Sequence, residues 1–418
     1  MRLEVVTVGT ELLLGHTLDT NAVDLGRALA AAGVEVTRRT TVADRPAVVR
    51  DAVREALARA AVVLTTGGLG PTSDDLTKTA VAELLGLRLR LDEELLHRLE
   101  QRFRRLGRPM PAANRGQAEV PEGAVVLPNP RGTAPGLWLE DGHGRVVIML
   151  PGVPAEMRGL LLEEVLPRLV ARRAAAGEAP RVVWSRTLRT TGSPESAVAE
   201  RVAPVEAGLA PLTLAYLPGP AGVDLRVTAW GLVPEDAERR LAAATERLRA
   251  VLGTRWYGDE ETDLAAVVLA QLRARGARLA TAESCTGGVL GSRLTAIPGA
   301  SDTFVGGVIA YDNAVKTAWL DVPDALLAEQ GAVSEAVVGA MAAGAQQRFG
   351  VAAALAVTGI AGPSGGTPEK PVGTVWIAAR HGDRARALRR IFPGARDEIR
   401  ARSAQAALDL LRLALLEA

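Results

Sequence analysis

The stretch TAESCTGG, residues 281–288, places hydroxyl side chains and the only cysteine of the chain on a turn of small residues. Before it, residues 277–282 predict a short buried strand, and after it residues 289–297 carry apolar side chains at helical spacing. Such a turn directs unpaired N–H groups and the positive end of the helix dipole towards the space above it. The stretch therefore predicts a strand-turn-helix unit with a site for an anion or an oxyanion. The alternative is that Ser284 or Thr286 only caps the helix.

Lysine is rare in this chain. Of 49 Lys and Arg residues, only Lys78, Lys316 and Lys370 are lysines, and all three lie in or beside sequence that predicts a loop. A lysine, unlike an arginine, becomes neutral when burial or nearby cations lower its pKa, and it can then take a proton from a hydroxyl. Each lysine is therefore a candidate base, and the alternative is an exposed side chain without such a role.

Length and composition bound the class of protein. The 418 residues predict two or three domains, and the 48% of hydrophobic residues allow each a sizeable core. A net charge of +1 creates no field that favours nucleic acid or a membrane. One cysteine and four scattered histidines exclude an internal disulfide and a Cys/His metal cage. The chain begins with a strand pattern and no apolar run approaches about 18 residues, so we expect a cytoplasmic protein without a membrane partner.

The first 170 residues alternate strand and helix patterns. Strand patterns occur at residues 3–8, 34–40 and 62–66, and helix patterns at residues 19–32 and 46–60. Alternation with short loops predicts a parallel sheet covered on both faces, with ligands at the carboxyl ends of the strands.

The loop after the third strand, TTGGLGPTSDDLTK, is rich in glycine and ends in a helix pattern. Gly67, Gly68 and Gly70 would let backbone N–H groups approach a phosphate. Asp74 and Asp75 could hold a divalent cation that bridges phosphate oxygens. The alternative is a glycine turn followed by acidic residues that complement the helix dipole.

Residues 171–255 predict a βαββα order, which is typical of a small α+β domain. A GxxG clamp flanked by basic residues is absent from this part of the sequence, so we expect a spacer or dimer element without RNA binding.

The final domain has three loops that follow predicted strands: AESCTGG, YDNAVK and TGIAGPSGG. Tyr311 and Lys316 thus lie at a strand's carboxyl end, where an α/β sheet presents its ligand site. The only histidine of this half, His381, follows a strand that is predicted to end far from these loops. Its position favours a Ser-Lys arrangement over a Ser-His-Asp triad. Cys285 is a rival nucleophile on chemistry alone, and its alternative role is a small buried apolar filler.

Together, the motifs VGTELLLG, TTGGLGPTSDD, LPGVPAEM, AESCTGG, TGIAGPSGG and PVGTVW are very specific. Over nearly its whole length the chain resembles the CinA (competence/damage-inducible) family. The resemblance implies an α/β fold with two three-layer α/β/α domains joined by a small α+β, KH-like domain. The implied domains are a molybdopterin-binding-like domain at residues 1–170, a KH-type domain at residues 171–255 and a nicotinamide mononucleotide (NMN) amidohydrolase domain at residues 256–418.

For the C-terminal domain the resemblance implies hydrolysis of the carboxamide of NMN without a cofactor. Ser284 would be the nucleophile, Lys316 the base and Tyr311 an assisting group. Arg396 or Arg400 would lie near the substrate phosphate. The turn and the third loop would supply further substrate-binding residues, namely Thr286, Gly287, Gly288, Thr358 and Gly359.

For the N-terminal domain the resemblance implies metal-dependent hydrolysis of ADP-ribose at its pyrophosphate. Asp74 and Asp75 would hold the divalent metal, and Asp44 would lie at the ligand. Many relatives carry Gly-Asp-Glu in the first loop, where this chain has Gly9, Thr10 and Glu11. The expected partners are NMN, ADP-ribose and a second copy of the chain. The competing interpretation is a molybdopterin-binding, nucleotide-binding or competence-related interaction protein without catalysis.

Overall fold

The computed structural model describes residues 1–417 of the chain. The Cα positions form two compact units, one containing Met1–Trp184 and Ala229–Arg239, the other Ser185–Thr228 and the chain from Arg240 onward. No helix in the described part of the chain is long and apolar enough to cross a membrane.

The first unit contains eight strands and seven α-helices. The strands are β1 Arg2–Val8, β2 Glu35–Val42, β3 Val62–Thr66, β4 Leu89–Leu91, β5 Glu119–Pro121, β6 Val125–Leu127, β7 Gly136–Glu140 and β8 Val146–Leu150. The helices are α1 Thr10–Leu13, α2 Thr20–Ala31, α3 Pro46–Arg59, α4 Thr77–Leu85, α5 Glu93–Arg105, α6 Pro154–Leu160 and α7 Leu166–Ala175.

A six-stranded sheet in the order β2-β1-β3-β8-β7-β6 forms the centre of this unit. Side chains of β3 alternate between its faces, as the period of a strand requires. Val62 and Leu64 pack with α2, α6 and α7 on one face, and Val63 packs with α3, α4 and α5 on the other. The sheet is therefore the middle layer of three.

The prediction of an all-parallel sheet in this region is wrong at one edge. Strands β2, β1, β3 and β8 are parallel, but β7 runs antiparallel to both of its neighbours, β8 and β6. The cause is the short connection from β7 to β8, where Asp141 N–H donates to the carbonyl of Arg145. A turn of this length joins only antiparallel neighbours, because parallel strands need a crossover of a dozen residues or more.

The next elements form the small α+β region: β9 Val182–Thr190, α8 Glu195–Glu206, β10 Thr213–Gly219, β11 Gly222–Leu232, α9 Pro234–Leu252 and β12 Trp256–Asp259. The four strands make one sheet in the order β10-β11-β9-β12. This sheet includes β12, which lies beyond residue 255, the predicted end of the middle domain. The domain boundaries proposed from the sequence stay predictions.

The remaining strands are β13 Leu279–Glu283, β14 Phe304–Ile309, β15 Ala353–Gly359, β16 Thr374–His381 and β17 Arg384–Ile391. The helices are α10 Leu264–Arg273, α11 Val289–Thr295, α12 Asn313–Leu320, α13 Asp324–Gln330, α14 Glu335–Phe349 and α15 Arg396–Leu416. The sheet order is β14-β13-β15-β16-β17, and the first three strands are parallel.

Helices cover both faces of this second sheet. Leu355 of β15 packs with α10, α11 and α15, whereas Ala354 and Ala356 pack with α12, α13 and α14. The predicted class is confirmed: two three-layer α/β/α regions and a small α+β region. Asp19 and Ser334 cap their helices, since their side chains accept hydrogen bonds from the first turns of α2 and α14.

Candidate active site

Three neighbouring parallel strands of the second sheet, β14, β13 and β15, end at the same edge. The loops that follow them enclose a cavity of about 200 Å³. Among its lining residues are seven that the sequence singled out: Ser284, Cys285, Tyr311, Lys316, Thr358, Gly359 and Arg396. His381 pairs with Ala353 at the opposite end of β15, so it lies far from the cavity.

Lys316 is the most buried charged side chain of this site, with 1% of its surface exposed. It extends from α12, and its Nζ donates to the carbonyl oxygen of Tyr311 at 3.1 Å. Burial lowers the pKa of Lys316, and the nearby Asp312 opposes this shift only in part. Its amine is therefore suited to be neutral and to accept a proton.

Tyr311 and Arg396 form the rim of the cavity. The Tyr311 side chain is exposed, and its hydroxyl accepts a hydrogen bond from Arg396 Nη2 at 2.9 Å. Arg396 Nη1 donates to the carbonyl oxygen of Gly362 at 2.5 Å. The guanidinium therefore connects the second and third loops.

Ser284 and Cys285 both line the cavity at the start of the turn. The Ser284 N–H donates to the carbonyl of Val357, so strand β15 anchors the turn. In the described part of the chain Ser284 and Lys316 share a cavity but form no hydrogen bond with each other. Burial raises the pKa of Cys285 to about 12. At neutral pH its thiolate fraction is thus about one part in 10⁵, which makes it a poor nucleophile.

Glu283, whose role the sequence did not reveal, fixes the conformation of the turn through its buried carboxylate. Its side chain is 2% exposed, and its two carboxylate oxygens accept hydrogen bonds from the N–H groups of Gly288, Leu290 and Gly291 at 3.0, 3.1 and 2.7 Å. The helix N-terminus is therefore occupied by a carboxylate of the chain itself. The prediction that this dipole faces a ligand is wrong, and so is the alternative that Ser284 or Thr286 caps the helix.

Within the turn, the N–H groups of Gly287 and Val289 also have backbone acceptors. Those of Cys285 and Thr286 have no acceptor among residues 1–417. Of these two residues only Cys285 lines the cavity, whereas Thr286 is fully buried outside the lining, so the Cys285 amide is the candidate oxyanion donor. The Thr286 hydroxyl is fully buried and without a partner in the same range, and Gly287 and Gly288 do not line the cavity.

Arg400 lies beneath the turn and outside the cavity lining. Its Nε and Nη2 donate to the carbonyl of Thr286 at 3.1 and 3.0 Å, and its Nη1 donates to Asp397. Of the two arginines proposed from the sequence, only Arg396 lines the cavity, and Arg400 supports the turn backbone.

In the first unit, the loops after β1, β2, β3 and β8 meet at one sheet edge. Gly67 has φ 102°, and a Cβ there would lie 2.2 Å from the carbonyl oxygen of Val8, so only glycine fits. The Asp75 carboxylate accepts the N–H of Thr72 at 2.9 Å and also its hydroxyl. Asp74 is exposed. A Cβ at Gly70 would meet the Asp75 carboxylate, so that glycine faces the acid.

Asp44 and Thr10 form two hydrogen bonds with each other at the same edge of the sheet. The Asp44 carboxylate accepts the N–H of Thr10 at 2.7 Å, and the Thr10 hydroxyl accepts the N–H of Asp44 at 3.2 Å. Thr10 thus fixes the loop that carries Asp44. Asn21, which no sequence signal marked, donates to Thr66 and to the carbonyl of Gly152 and so joins two of the loops.

Lys78 is buried at the start of α4, and its Nζ donates to the carbonyl of Gly116. Burial lowers the pKa of Lys78, but its amine is held by the segment at 112–118. Within residues 1–417, no group of three or more His, Cys, Asp or Glu side chains is placed to hold a metal ion. A metal at Asp74 and Asp75 would therefore need oxygen ligands from its substrate.

Comparison with known proteins places these sites in a family. Residues 261–415 match the "CinA C-terminal domain", residues 185–258 the "Damage-inducible protein CinA KH domain" and residues 4–171 the "Probable molybdopterin binding domain". A CinA-like protein of Gemmatimonas aurantiaca is 54% identical over 415 residues, which cover 99% of this chain and 96% of the relative. The chain belongs to the CinA family.

Two further relatives of the family are similar to this chain. A CinA-like protein of a Synechococcus species is 45% identical over 414 residues, which cover 99% of this chain and 98% of the relative. A crystal structure of the protein CinA from Thermoplasma acidophilum is 37% identical with a TM-score of 0.37, and the match covers 40% of this chain and 97% of that one. The resemblance to the CinA family seen in the sequence is thus confirmed.

The role of Glu283 in this CinA family member predicts a stability effect. Glu283→Gln replaces one acceptor oxygen by an NH₂ group, which leaves at least one of three buried N–H groups without an acceptor. We expect a loss of about 1–3 kcal/mol in the free energy of unfolding of this unit, and a larger loss for Glu283→Ala. Urea unfolding followed by circular dichroism measures it.

The control is Glu398→Gln, which alters an exposed carboxylate that accepts the N–H of Ala395 at the start of α15. We expect it to cost less than about 1 kcal/mol. Equal losses for the two Gln variants would contradict a special role of the buried carboxylate.

Proposed function

We propose that the C-terminal domain hydrolyses the carboxamide of NMN to nicotinate mononucleotide and ammonia. One observation carries this proposal: Ser284 and the almost fully buried Lys316 line the same small cavity. A serine that shares a cavity with an amine whose pKa is lowered by burial can act as a nucleophile without histidine or metal.

In the first step Ser284 Oγ attacks the carboxamide carbon and Lys316 Nζ takes the hydroxyl proton. A neutral amine has two N–H groups and one lone pair, so Lys316 can donate to the carbonyl of Tyr311 while its lone pair accepts. The amide of Cys285, which lines the cavity, stabilises the oxyanion, and one such donor contributes about 3–4 kcal/mol. Arg396 keeps the Tyr311 hydroxyl oriented at the rim.

In the second step the C–N bond breaks and the leaving amine takes the proton from Lys316, so ammonia departs and an ester remains on Ser284. Water then attacks this ester as Lys316 again takes a proton. Cleavage of the ester returns that proton to Ser284 Oγ and releases nicotinate mononucleotide. Assays of ammonia release from NMN, nicotinamide and glutamine test this substrate choice, and absence of release from NMN would favour a binding protein.

The two adjacent candidate nucleophiles are separated by mutation. Ser284→Ala should lower the rate of ammonia release from NMN by at least about a thousandfold, because no other activated hydroxyl replaces it. Cys285→Ala should retain most of the activity, since the raised pKa of the thiol keeps it protonated. Thiol reagents should inhibit weakly. The reverse pattern in the two variants would exclude the Ser-Lys mechanism.

Lys316→Arg tests whether the amine acts as a base. Guanidinium keeps the positive charge but does not lose its proton, so we expect a loss of about 10²–10⁴ in kcat, as large as for Lys316→Ala. Because burial lowers the pKa of Lys316, the wild-type rate should rise with pH through that lowered value and then level off. Near wild-type turnover with an unchanged pH profile in Lys316→Arg would contradict the base role.

We propose in addition that the N-terminal domain hydrolyses ADP-ribose at its pyrophosphate. The loop glycines, Asp44, Asp74 and Asp75 follow strands that end at one edge. Two carboxylates suit Mg²⁺ or a similar cation, which is commonly bound through one or two acids plus substrate phosphates. Such a cation supplies charge neutralisation on the phosphate oxygens. The Gly67 N–H already donates to the carbonyl of Leu150, so the amides of Gly68 and Gly70 would bind the phosphates, and the Thr72 bonds would orient Asp75.

A chelator should abolish cleavage of ADP-ribose to AMP and ribose 5-phosphate, and added Mg²⁺ should restore it. Asp75→Asn should remove this activity and leave ammonia release from NMN unchanged, because the two sites use different residues. Asp51→Asn, an exposed acid on α3, is the control. Equal loss of both activities in Asp75→Asn would point to a folding defect or to a single shared site.

A further inference from the structure

A second cavity, of about 700 Å³, lies beside the Ser284 cavity, and Val333 lines both. Cavities that enclose small-molecule ligands commonly measure about 300–1,000 Å³. The Ser284 cavity, with about 200 Å³, is smaller than this range. It has room for the carboxamide and its ring, so the remainder of a nucleotide has to lie outside it.

The register of the sheet connects the two cavities. Thr358 of β15 pairs with Trp376 of β16, and Trp376 pairs with Arg389 of β17. The three residues form one row across the strands, so their side chains lie on the same face of the sheet. Strands are about 4.8 Å apart, which places Arg389 about 10 Å from Thr358 along the row. This span is comparable to the length of a ribose 5-phosphate.

The charged groups of the second cavity match such a ligand. Its cations are Lys370 and Arg389, and its acids are Glu335 and Glu369. Lys370 Nζ donates to the carbonyl of Gln330 at 3.2 Å, and Arg389 Nη2 to that of Glu369 at 3.1 Å. Neither cation forms a salt bridge to a carboxylate in the described part of the chain. Both keep charge and N–H groups for an anion, and the acids can accept ribose hydroxyls.

We propose that this cavity, the Lys370–Arg389 subsite, binds the phosphate of the nucleotide whose carboxamide lies at Ser284. The inference rests on the amidase activity proposed above and assigns its substrate class as phosphorylated pyridine nucleosides. The two arginines nearer the turn have more hydrogen-bond partners than Lys370 and Arg389. Arg396 donates to Gly362 and Tyr311, and Arg400 donates to Thr286 and Asp397. Lys370, the third rare lysine, thereby gains a role as a phosphate ligand.

The test compares NMN with nicotinamide riboside, which has the same ring and carboxamide but no phosphate. Lys370→Gln and Arg389→Gln should each raise KM for NMN about tenfold to a hundredfold, the effect of a lost charge-assisted hydrogen bond. They should leave kcat for NMN and kcat/KM for nicotinamide riboside unchanged. The split between the two substrates separates phosphate binding from a general structural role.

Arg386→Gln is the matched control, because Arg386 lies on the same strand but pairs with Glu417. Arg396→Gln is the competing arm. The inference is overturned if the Lys370 and Arg389 variants lose activity equally on both substrates, or if only Arg396→Gln shows the selective rise in KM for NMN.

Calorimetric titration of NMN and nicotinamide riboside into Ser284→Ala distinguishes this subsite from the amidase itself. The subsite is supported if Ser284→Ala binds NMN more tightly than nicotinamide riboside and if this preference disappears when Lys370→Gln is added. If the wild-type chain nevertheless releases no ammonia from NMN, only the amidase proposal fails. Equal binding of the two compounds, or none of either, overturns the subsite.

Discussion

The buried carboxylate of Glu283 is the constraint on which the geometry of the C-terminal site depends. A carboxylate removed from water is costly unless its oxygens are hydrogen-bonded, and here three backbone N–H groups of the following turn and helix supply those bonds. Since Glu283 ends β13 and Ser284 follows it directly, the same hydrogen bonds also fix the position of Ser284. The Ser284 N–H is held in turn by Val357 of the neighbouring strand. The sheet and the helix therefore together position Ser284, the proposed nucleophile.

This arrangement determines where the electrostatics of the site come from. Glu283 already neutralises the positive end of the α11 dipole. This dipole therefore contributes little to the binding of a substrate anion or to the pKa of Lys316. The pKa of Lys316 is lowered chiefly by burial, and Asp312 opposes the shift. Positive charge for a phosphate therefore has to come from side chains at the rim of the cavity or outside it. The cations of the neighbouring cavity, Lys370 and Arg389, donate to backbone carbonyls and keep N–H groups for an anion.

The sequence predicts the part of the site that follows from strand ends. Ser284, Lys316 and Thr358 come after three strands whose order makes them neighbours, so the rule for α/β sheets places them together. Glu283 was not identified because it directly follows the strand predicted at residues 277–282, and its hydrogen-bond partners depend on the conformation of the turn. Arg396 and Arg400 are four residues apart and share a helix face, so only tertiary contacts separate a rim residue from a support of the turn. The antiparallel edge of the first sheet follows from a short connection that strand and helix periodicity do not reveal.

The two candidate sites differ in how far their charged side chains are exposed to solvent. In the C-terminal site the amine of Lys316 is almost fully removed from solvent, which favours its neutral form and a proton transfer. In the N-terminal site Asp74 is exposed, and the Asp75 carboxylate accepts hydrogen bonds from Thr72 in an exposed turn. Solvent-exposed acids suit a hydrated cation and a pyrophosphate, whereas an amine removed from solvent suits an uncharged carboxamide. Under the two proposed functions, the burial of each set of residues matches a different class of scissile bond, and one chain can carry both sites without sharing a catalytic group.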